Sequence, residues 1–235
     1  MKRLILILLF LVLASNLFSQ VAYFGIGYNV SRGEYEGFNY AIDRYNETRD
    51  YLTDEMDHIN LTHGMSFEVG YAAPGFLCGM AIQYNRAKVE AKGIINDQKI
   101  QRDLKLHELN IPFEFAIPSG ENGFAFAPGI GLNLMLWKYL TRTGEVNEID
   151  DKEYYESFPD VGMHAKLFIK FIFGGVEDSG IGLVVEPYYN LGFLDSEMWT
   201  LNEMLNPNTY SNDPHKVEKF NQFGIKLSMF FKAEV

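Results

Sequence analysis

The stretch FAFAPGIGLNLMLW, residues 124–137, decides the fold class of this chain. It is too short for a membrane-spanning helix, which needs about 20 apolar residues, and a helix would carry one proline and two glycines in its interior. Read at every second residue, it has one large apolar face and one face of mostly small residues, which is the period of a β-strand. A soluble sheet turns polar side chains to water, so this apolar face predicts a strand that lies against lipid.

The same alternation recurs along the chain in eight segments. They are residues 22–30, 65–71, 76–85, 109–117, 124–137, 161–170, 181–189 and 223–231. The connections alternate between short ones, at residues 72–75, 118–123 and 174–180, and long charged ones, at 31–63, 86–106, 138–160 and 191–219. This layout predicts an eight-stranded antiparallel transmembrane β-barrel of the outer membrane. The short turns and both termini are expected in the periplasm, with the long loops outside.

Three prolines lie inside the predicted strands, at Pro112, Pro128 and Pro187. Each removes one hydrogen-bond donor from the ladder of a closed sheet. They count against the barrel, because proline is normally confined to edge strands and bulges.

The N-terminal residues have the features of a secretory signal peptide. A charged start is followed by the apolar run LILILLFLVLA and a short polar exit, and we expect cleavage after Ser19. The domain prediction is therefore a signal peptide at 1–19 and one barrel domain at 20–235. Loss of the two basic residues takes the formal net charge from −11 to about −13, and such an acidic chain is not expected to bind nucleic acid through phosphate contacts.

Three motifs resemble the PorT-like outer-membrane β-barrel family. They are LNIPFEF at 109–115, FAPGIGLNL at 126–134 and VEPYYNLGF at 185–193. Strands with an Ile-Pro step, with adjacent glycine and proline, and with a glutamate before an aromatic pair recur in that family in this order. The resemblance implies an eight-stranded outer-membrane barrel in which strand prolines are tolerated. It implies no reaction.

Seven ionisable residues fall on the predicted inward faces, beside the small residues of their strands. They are Glu68, Glu114, Glu186, His164, Lys166, Lys170 and Lys226. The lumen of an eight-stranded barrel is only wide enough for side chains, so we expect a structural ion network there. The alternative is a proton or ligand site built from perturbed carboxylates. The sequence predicts no catalytic, cofactor or metal site.

The first long loop contains a segment with helical spacing. Phe38, Ile42, Tyr45 and Leu52 fall near one face, with charged residues between them. This predicts a helix at the barrel mouth, which could serve either as a lid or as a docking surface for another protein.

The pattern as a whole favours a non-catalytic barrel that acts through its external loops as an accessory or scaffolding subunit of an outer-membrane assembly. The expected partners are outer-membrane lipid and lipopolysaccharide, together with another outer-membrane protein. Two alternatives from other classes are a lipid-modifying barrel enzyme and a soluble secreted lipocalin-like binder. The enzyme would place a Ser or Asp beside a histidine near the membrane interface, and the binder would point its apolar faces inward.

Overall fold

The computed structural model describes residues 21–73, 75–121, 123–174, 180–209, 214 and 216–234. The predicted signal peptide lies outside the described residues. Eight long strands make up most of the described chain. They are β1 Val21–Gly33, β2 Leu61–Ala73, β3 Phe76–Ile95, β4 Gln98–Ala116, β5 Phe124–Glu145, β6 Asp160–Phe173, β7 Gly180–Gly192 and β8 Gln222–Glu234.

The eight strands close into one ring. Each pairs antiparallel with its neighbours in the chain, and β1 pairs antiparallel with β8 from Val21↔Glu234 to Gly33↔Gln222. The predicted eight-stranded antiparallel barrel is confirmed. We call the end that carries the connections after β2, β4 and β6 the turn end, and the opposite end the loop end.

The predicted loop at residues 86–106 is wrong. The alternation continues through it, and β3 and β4 form one long hairpin joined by Asn96 and Asp97. Both turn residues have positive φ, 49° and 64°, as a two-residue hairpin turn of the primed type requires. Polar outward residues such as Lys88 and Glu90 suggested a loop, but this part of the wall extends beyond the apolar belt. In the same way β5 continues to Glu145.

The two faces of the wall differ as predicted. On β5, Ile130 and Leu132 are 65% and 46% exposed, whereas Ala127 and Asn133 are buried. The outward apolar residues form a belt around the barrel, which includes Phe24, Ile26, Phe67, Val69, Ile82, Phe113, Leu167, Ile169, Leu183, Ile225 and Leu227. A soluble binder would bury these faces, so the architecture is that of a transmembrane barrel of the outer-membrane type. None of the helices in the described part of the chain is long and apolar enough to cross a membrane.

The strand prolines coincide with two gaps among the described pairings. Pro112 and Pro128 remain in register with Asn133 and Ile169. Between β3 and β4, however, the pairing passes from Met80↔Phe113 to Gln83↔Asn110 and skips Pro112. Between β6 and β7 it skips Glu186 and Pro187 and resumes at the next residue of β7. The missing proline donor explains both gaps.

The long connections are folded against the loop end. The helix predicted in the first loop is present as α1, Glu36–Glu47, and the last loop contains α2, Trp199–Leu205. Shorter elements are the 3₁₀ helix Ile149–Asp151, the strands Leu52–Asp54, Ser119–Glu121 and Tyr155–Glu156, and the paired strands Ser196–Glu197 and Val217–Glu218.

Candidate functional site

Six charged side chains meet inside the barrel, and we call them the lumen cluster. β6 contributes two lysines, and five strands contribute in all. The members are Glu68 of β2, Glu114 of β4, Lys166 and Lys170 of β6, Glu186 of β7 and Lys226 of β8. All six are less than a tenth exposed.

Each lysine of the cluster bridges carboxylates from different strands. Lys166 Nζ lies 2.5 Å from Glu114 Oε1 and 2.6 Å from Glu186 Oε1. Lys226 Nζ lies 2.8 Å from Glu68 Oε2 and 2.8 Å from Glu186 Oε2. The ion pairs therefore tie β2, β4, β6, β7 and β8 together across the lumen.

The third lysine completes a cluster with no net charge. Lys170 donates to Glu68 and lies 2.7 Å from Glu114 Oε2, while the Tyr23 hydroxyl donates to Glu68 Oε1 at 3.0 Å. Three carboxylates are matched by three ammonium groups, which is how buried charges avoid the cost of isolation. The three carboxylates form the one group in the described chain whose ligand atoms are close enough to hold a metal ion, but the lysine ammonium groups lie between them.

The small face of the stretch at 124–137 makes room for this cluster. Gly131 is the register partner of both Glu114 and Lys166, and Ala127 is the partner of Lys170. A long side chain at either position would compete for the space that the charged side chains occupy. The asymmetry that identified the strand therefore has a structural cause.

His164 lies apart from the lumen cluster, although the sequence placed it on the same face. It is two residues from Lys166 towards the loop end and faces Asn133 across the β5–β6 pair. Asn133 donates to Asn110 Oδ1 at 2.9 Å. Within the described chain, His164 forms no ion pair with the three glutamates, so it belongs to a layer of uncharged polar groups above them.

A buried carboxylate at Glu108 was missed by the sequence reasoning. It accepts hydrogen bonds from Tyr35 Oη at 3.0 Å, Gln222 Nε2 at 2.9 Å and Thr62 Oγ1 at 3.2 Å. No described cation pairs with it. The sequence did contain an indication of it. Glu108 lies an even number of residues from Glu114 on β4 and so points to the same inward face, but it precedes residue 109, where the strand was predicted to begin.

The loop end is closed by a plug, which we define as α1, α2 and the residues packed beneath them. Phe38, Ile42 and Tyr45 of α1 are buried, and Leu52 packs against them partly buried. Their neighbours in the cluster include Tyr35, Met56, Ile59, Leu104, Leu106, Met135, Trp137, Met198, Leu201, Leu205 and Phe220. The apolar face of α1 thus packs onto the barrel mouth. Of the four residues suggested as a docking surface, Phe38, Ile42 and Tyr45 are buried, whereas Leu52 is partly exposed.

Two polar anchors hold the plug together. Arg49 donates to Leu205 O at 2.6 Å and to Asn206 Oδ1 at 3.1 Å, which joins α1 to α2. Glu218 accepts from Gly37 N at 3.1 Å, at the start of α1, and from the backbone of the two residues that follow it. Burial raises the pKa of the Glu218 carboxyl to about 7, against the effect of these three donors.

A cavity of about 730 Å³ opens beside α1 at the loop end. Asp43 and His58 line it, with Asp43 Oδ1 2.6 Å from His58 Nε2, and both side chains are about half exposed. An acid–histidine pair is a component of many nucleophilic sites. The described residues around this cavity include no serine, threonine or cysteine, so none of the usual partners of an acid–histidine pair lines it.

No protein-family model and no curated protein matches this chain. Solved structures with a similar fold include Ail of Yersinia pestis, determined with the heparin analogue sucrose octasulfate (TM-score 0.45, 9% identity, 92% of this chain and 99% of that one). A second is Neisserial surface protein A (TM-score 0.43, 10% identity, 90% of this chain and 97% of that one). A third is the outer membrane protease OmpT of Escherichia coli (TM-score 0.36, 8% identity, 92% of this chain and 95% of that one). The closed ring of strands, and not these similarities, establishes the barrel.

Proposed function

We propose that this chain is a non-catalytic integral outer-membrane barrel that acts through its loop end as an accessory or scaffolding subunit of an outer-membrane protein assembly. In this proposal the loop end faces outward and both termini lie in the periplasm. The proposal follows the resemblance to the PorT-like family and the general layout of such barrels, whose short turns are periplasmic.

The observation that carries the proposal is the closed lumen. The lumen cluster fills the middle of the barrel, an apolar layer that includes Phe168, Ile172 and Phe230 lies towards the turn end, and the plug covers the loop end. A cavity beside Glu68 and Lys170 measures about 30 Å³, which is room for about two or three water molecules. The packed layers and ion pairs at three levels of the lumen support a function at the exposed surface over conduction of solutes through the barrel.

The surface available to a protein partner is the polar side of α1. Arg44 and Glu47 are paired there at 2.8 Å, and Asp43 lies on the rim of the loop-end cavity. The buried contacts of α1 and the hydrogen bonds of Arg49 and Glu218 tie this face to the barrel, and a pre-ordered face loses less entropy on docking. The partner surface is therefore expected to be polar and to engage α1 from outside the barrel mouth.

Conductance tests the closed lumen. Purified protein in a planar lipid bilayer is expected to give no steady ion-selective current. The matched control removes the plug contact between the helices through Arg49→Ala, which leaves the lumen cluster intact and is expected to remain non-conducting. Steady current from the unaltered protein would show a water-filled pore and would refute the proposal.

Cross-linking tests the scaffolding role in the same membranes. A photo-reactive residue at Glu47, on the polar side of α1, is expected to give one adduct of defined mass in intact outer membranes. The same residue at Gln98, on the tip of the β3–β4 hairpin, serves as the control and is expected to give none. Absence of an adduct at Glu47 in its native membrane would count against a docking role for α1.

A further inference from the structure

The outward surface of β2 to β5 carries a concentration of basic residues in a chain whose formal net charge is −11. Four consecutive strands place a basic side chain in one register row of the wall. The register pairs are His63↔Arg86, Arg86↔His107 and His107↔Lys138. With strands about 4.8 Å apart, this row, which we call the basic row, is about 14 Å long.

The basic row lies directly at the edge of the apolar belt. Two residues closer to the turn end, the same strands carry Met65↔Tyr84, Tyr84↔Leu109 and Leu109↔Leu136. Basic side chains one step outside an apolar surface are placed where lipid headgroups meet acyl chains. The change from apolar to basic thus occurs between two successive outward register rows on four adjacent strands.

A second pair of cations reinforces the row. Lys88 and Lys105 are register partners, one step further towards the loop end. Lys88 is compensated by Asp103 at 3.2 Å and Glu90 at 3.4 Å, but Lys105 forms no ion pair with a described residue. Its ammonium lies over the Tyr154 ring at 4.0 Å. Desolvation, together with the positive charges of Arg142 and Lys88, lowers the pKa of Lys105.

Within the row itself the compensation is also incomplete. Lys138 is paired with Glu156 at 2.7 Å, whereas Arg86 has no ion-pair partner among the described residues. The two histidines accept or donate hydrogen bonds with tyrosines of the belt edge, His63 with Tyr28 at 2.5 Å and His107 with Tyr84 at 2.8 Å. Of the four Arg and Lys residues at this site, Arg86 and Lys105 are therefore the two without an ion-pair partner among the described residues, and they are available to an anionic ligand.

An exposed aromatic residue beside the row favours a lipid over a free anion. Leu140 pairs with Glu156 and Ser157 N donates to Tyr139 O at 3.0 Å, so the next residue, Phe158, follows this pairing towards Lys138. Phe158 is 96% exposed, so its apolar ring is free to contact acyl chains. A ligand that carries phosphate and acyl chains would engage both the cations and this ring.

We propose that Arg86 and Lys105, with Lys88 and Lys138 beside them, bind the phosphates of an anionic lipid whose acyl chains lie along the belt below the basic row. The length of the row leaves room for a headgroup with more than one phosphate. This inference rests on the membrane placement of the barrel but not on its scaffolding role. The lipid site would therefore survive a failure of the cross-linking test at α1.

The test is binding of diphosphoryl lipid A to the full-length protein in detergent, measured by native mass spectrometry and compared with the dephosphorylated lipid. Arg86→Gln with Lys105→Gln is expected to weaken binding about 30-fold, at roughly fivefold for each cation near the lipid surface. The charge-preserving pair Arg86→Lys with Lys105→Arg is expected to stay within about twofold of the unaltered protein, because a lipid phosphate is bound mainly through charge.

Controls separate the site from general electrostatics and from misfolding. Lys99→Gln with Lys152→Gln removes the same charge from exposed loop-end positions and is expected to change binding by about twofold at most, because charges beyond a Debye length are screened. Heat-induced unfolding of each variant checks the fold. Equal binding of the dephosphorylated lipid, no loss in the Arg86 and Lys105 variant, or full competition by millimolar inorganic phosphate would each overturn the proposal.

Discussion

Replacement of Lys226 by methionine tests whether the lumen cluster holds the barrel together. The Lys226 ammonium is fully buried and lies 2.8 Å from a carboxylate oxygen of Glu68 and 2.8 Å from one of Glu186. Methionine has a similar length and keeps the volume filled, but it leaves three buried carboxylates facing two ammonium groups.

The expected loss follows from this uncompensated charge. Removal of one partner from a buried pair destabilises a protein by about 3 to 5 kcal/mol, and Lys226→Met removes two contacts at once. Lys226→Met combined with Glu186→Gln restores neutrality, because two carboxylates then face two ammonium groups. Lys166 loses its charged partner at residue 186 but keeps its pair with Glu114 at 2.5 Å. The double variant is therefore expected to be more stable than Lys226→Met alone.

The assay is reversible urea unfolding of the protein in lipid vesicles. The folded fraction at each urea concentration is measured from the gel mobility of the folded barrel. Lys99→Met is the matched control, since Lys99 is exposed on the β3–β4 hairpin, and a surface change of this kind is expected within about 0.5 kcal/mol. If Lys226→Met were as stable as Lys99→Met, or if Glu186→Gln added to its loss, the charge-matching explanation would be refuted.

Two further predictions concern the wall of β5. Leu132→Arg places a cation on the lipid face and is expected to cost about 2 to 4 kcal/mol in vesicles, whereas Leu132→Ala keeps the face apolar; equal folding yields for the two would contradict the lipid-facing assignment. Gly131→Ala is expected to destabilise the barrel, because its Cβ would lie 2.5 Å from Phe113 O, whereas Gly25→Ala finds its nearest atom, Met229 O, at 3.5 Å. The urea midpoints of Gly131→Ala and Gly25→Ala test this prediction. A larger loss of stability for Gly25→Ala would show that close backbone approach is not the cause.

The strands could be predicted because the two faces of each strand contact two very different environments, lipid and the lumen. Lipid selects large apolar residues on one face and the narrow lumen selects small ones on the other, so Ile130 and Gly131 are already distinguished in the sequence. This contrast fades outside the bilayer, where both faces of a strand accept charge. The extension of β3 and β4 past the belt was missed for this reason, since Lys88 and Glu90 look like loop residues.

The interior was predictable only in part. The three glutamates and three lysines were identified by parity, but partner choice depends on the tilt and stagger of the strands, which the sequence does not specify. Glu108 lay outside the predicted strand, and His164 lay on the correct face but at a different level. The plug shows a related limit, because the helical spacing of Phe38 and Ile42 predicted an apolar face without indicating what would cover it.

The lumen cluster also bears on how the ring closes in one register. Side chains alternate with period two, so a slip of one residue on any of the five strands that contribute to the lumen cluster turns its lumen-facing charge towards lipid. On β8 such a slip would move Lys226 outward, at a cost of about 2 to 4 kcal/mol at mid-membrane, and would leave Glu68 and Glu186 short of an ammonium group. Apolar residues in the lumen would carry no comparable penalty, because lipid accepts them equally well. In lipid, a charged interior therefore favours the correct register of the closed ring over registers shifted by one residue. An apolar interior would not separate them.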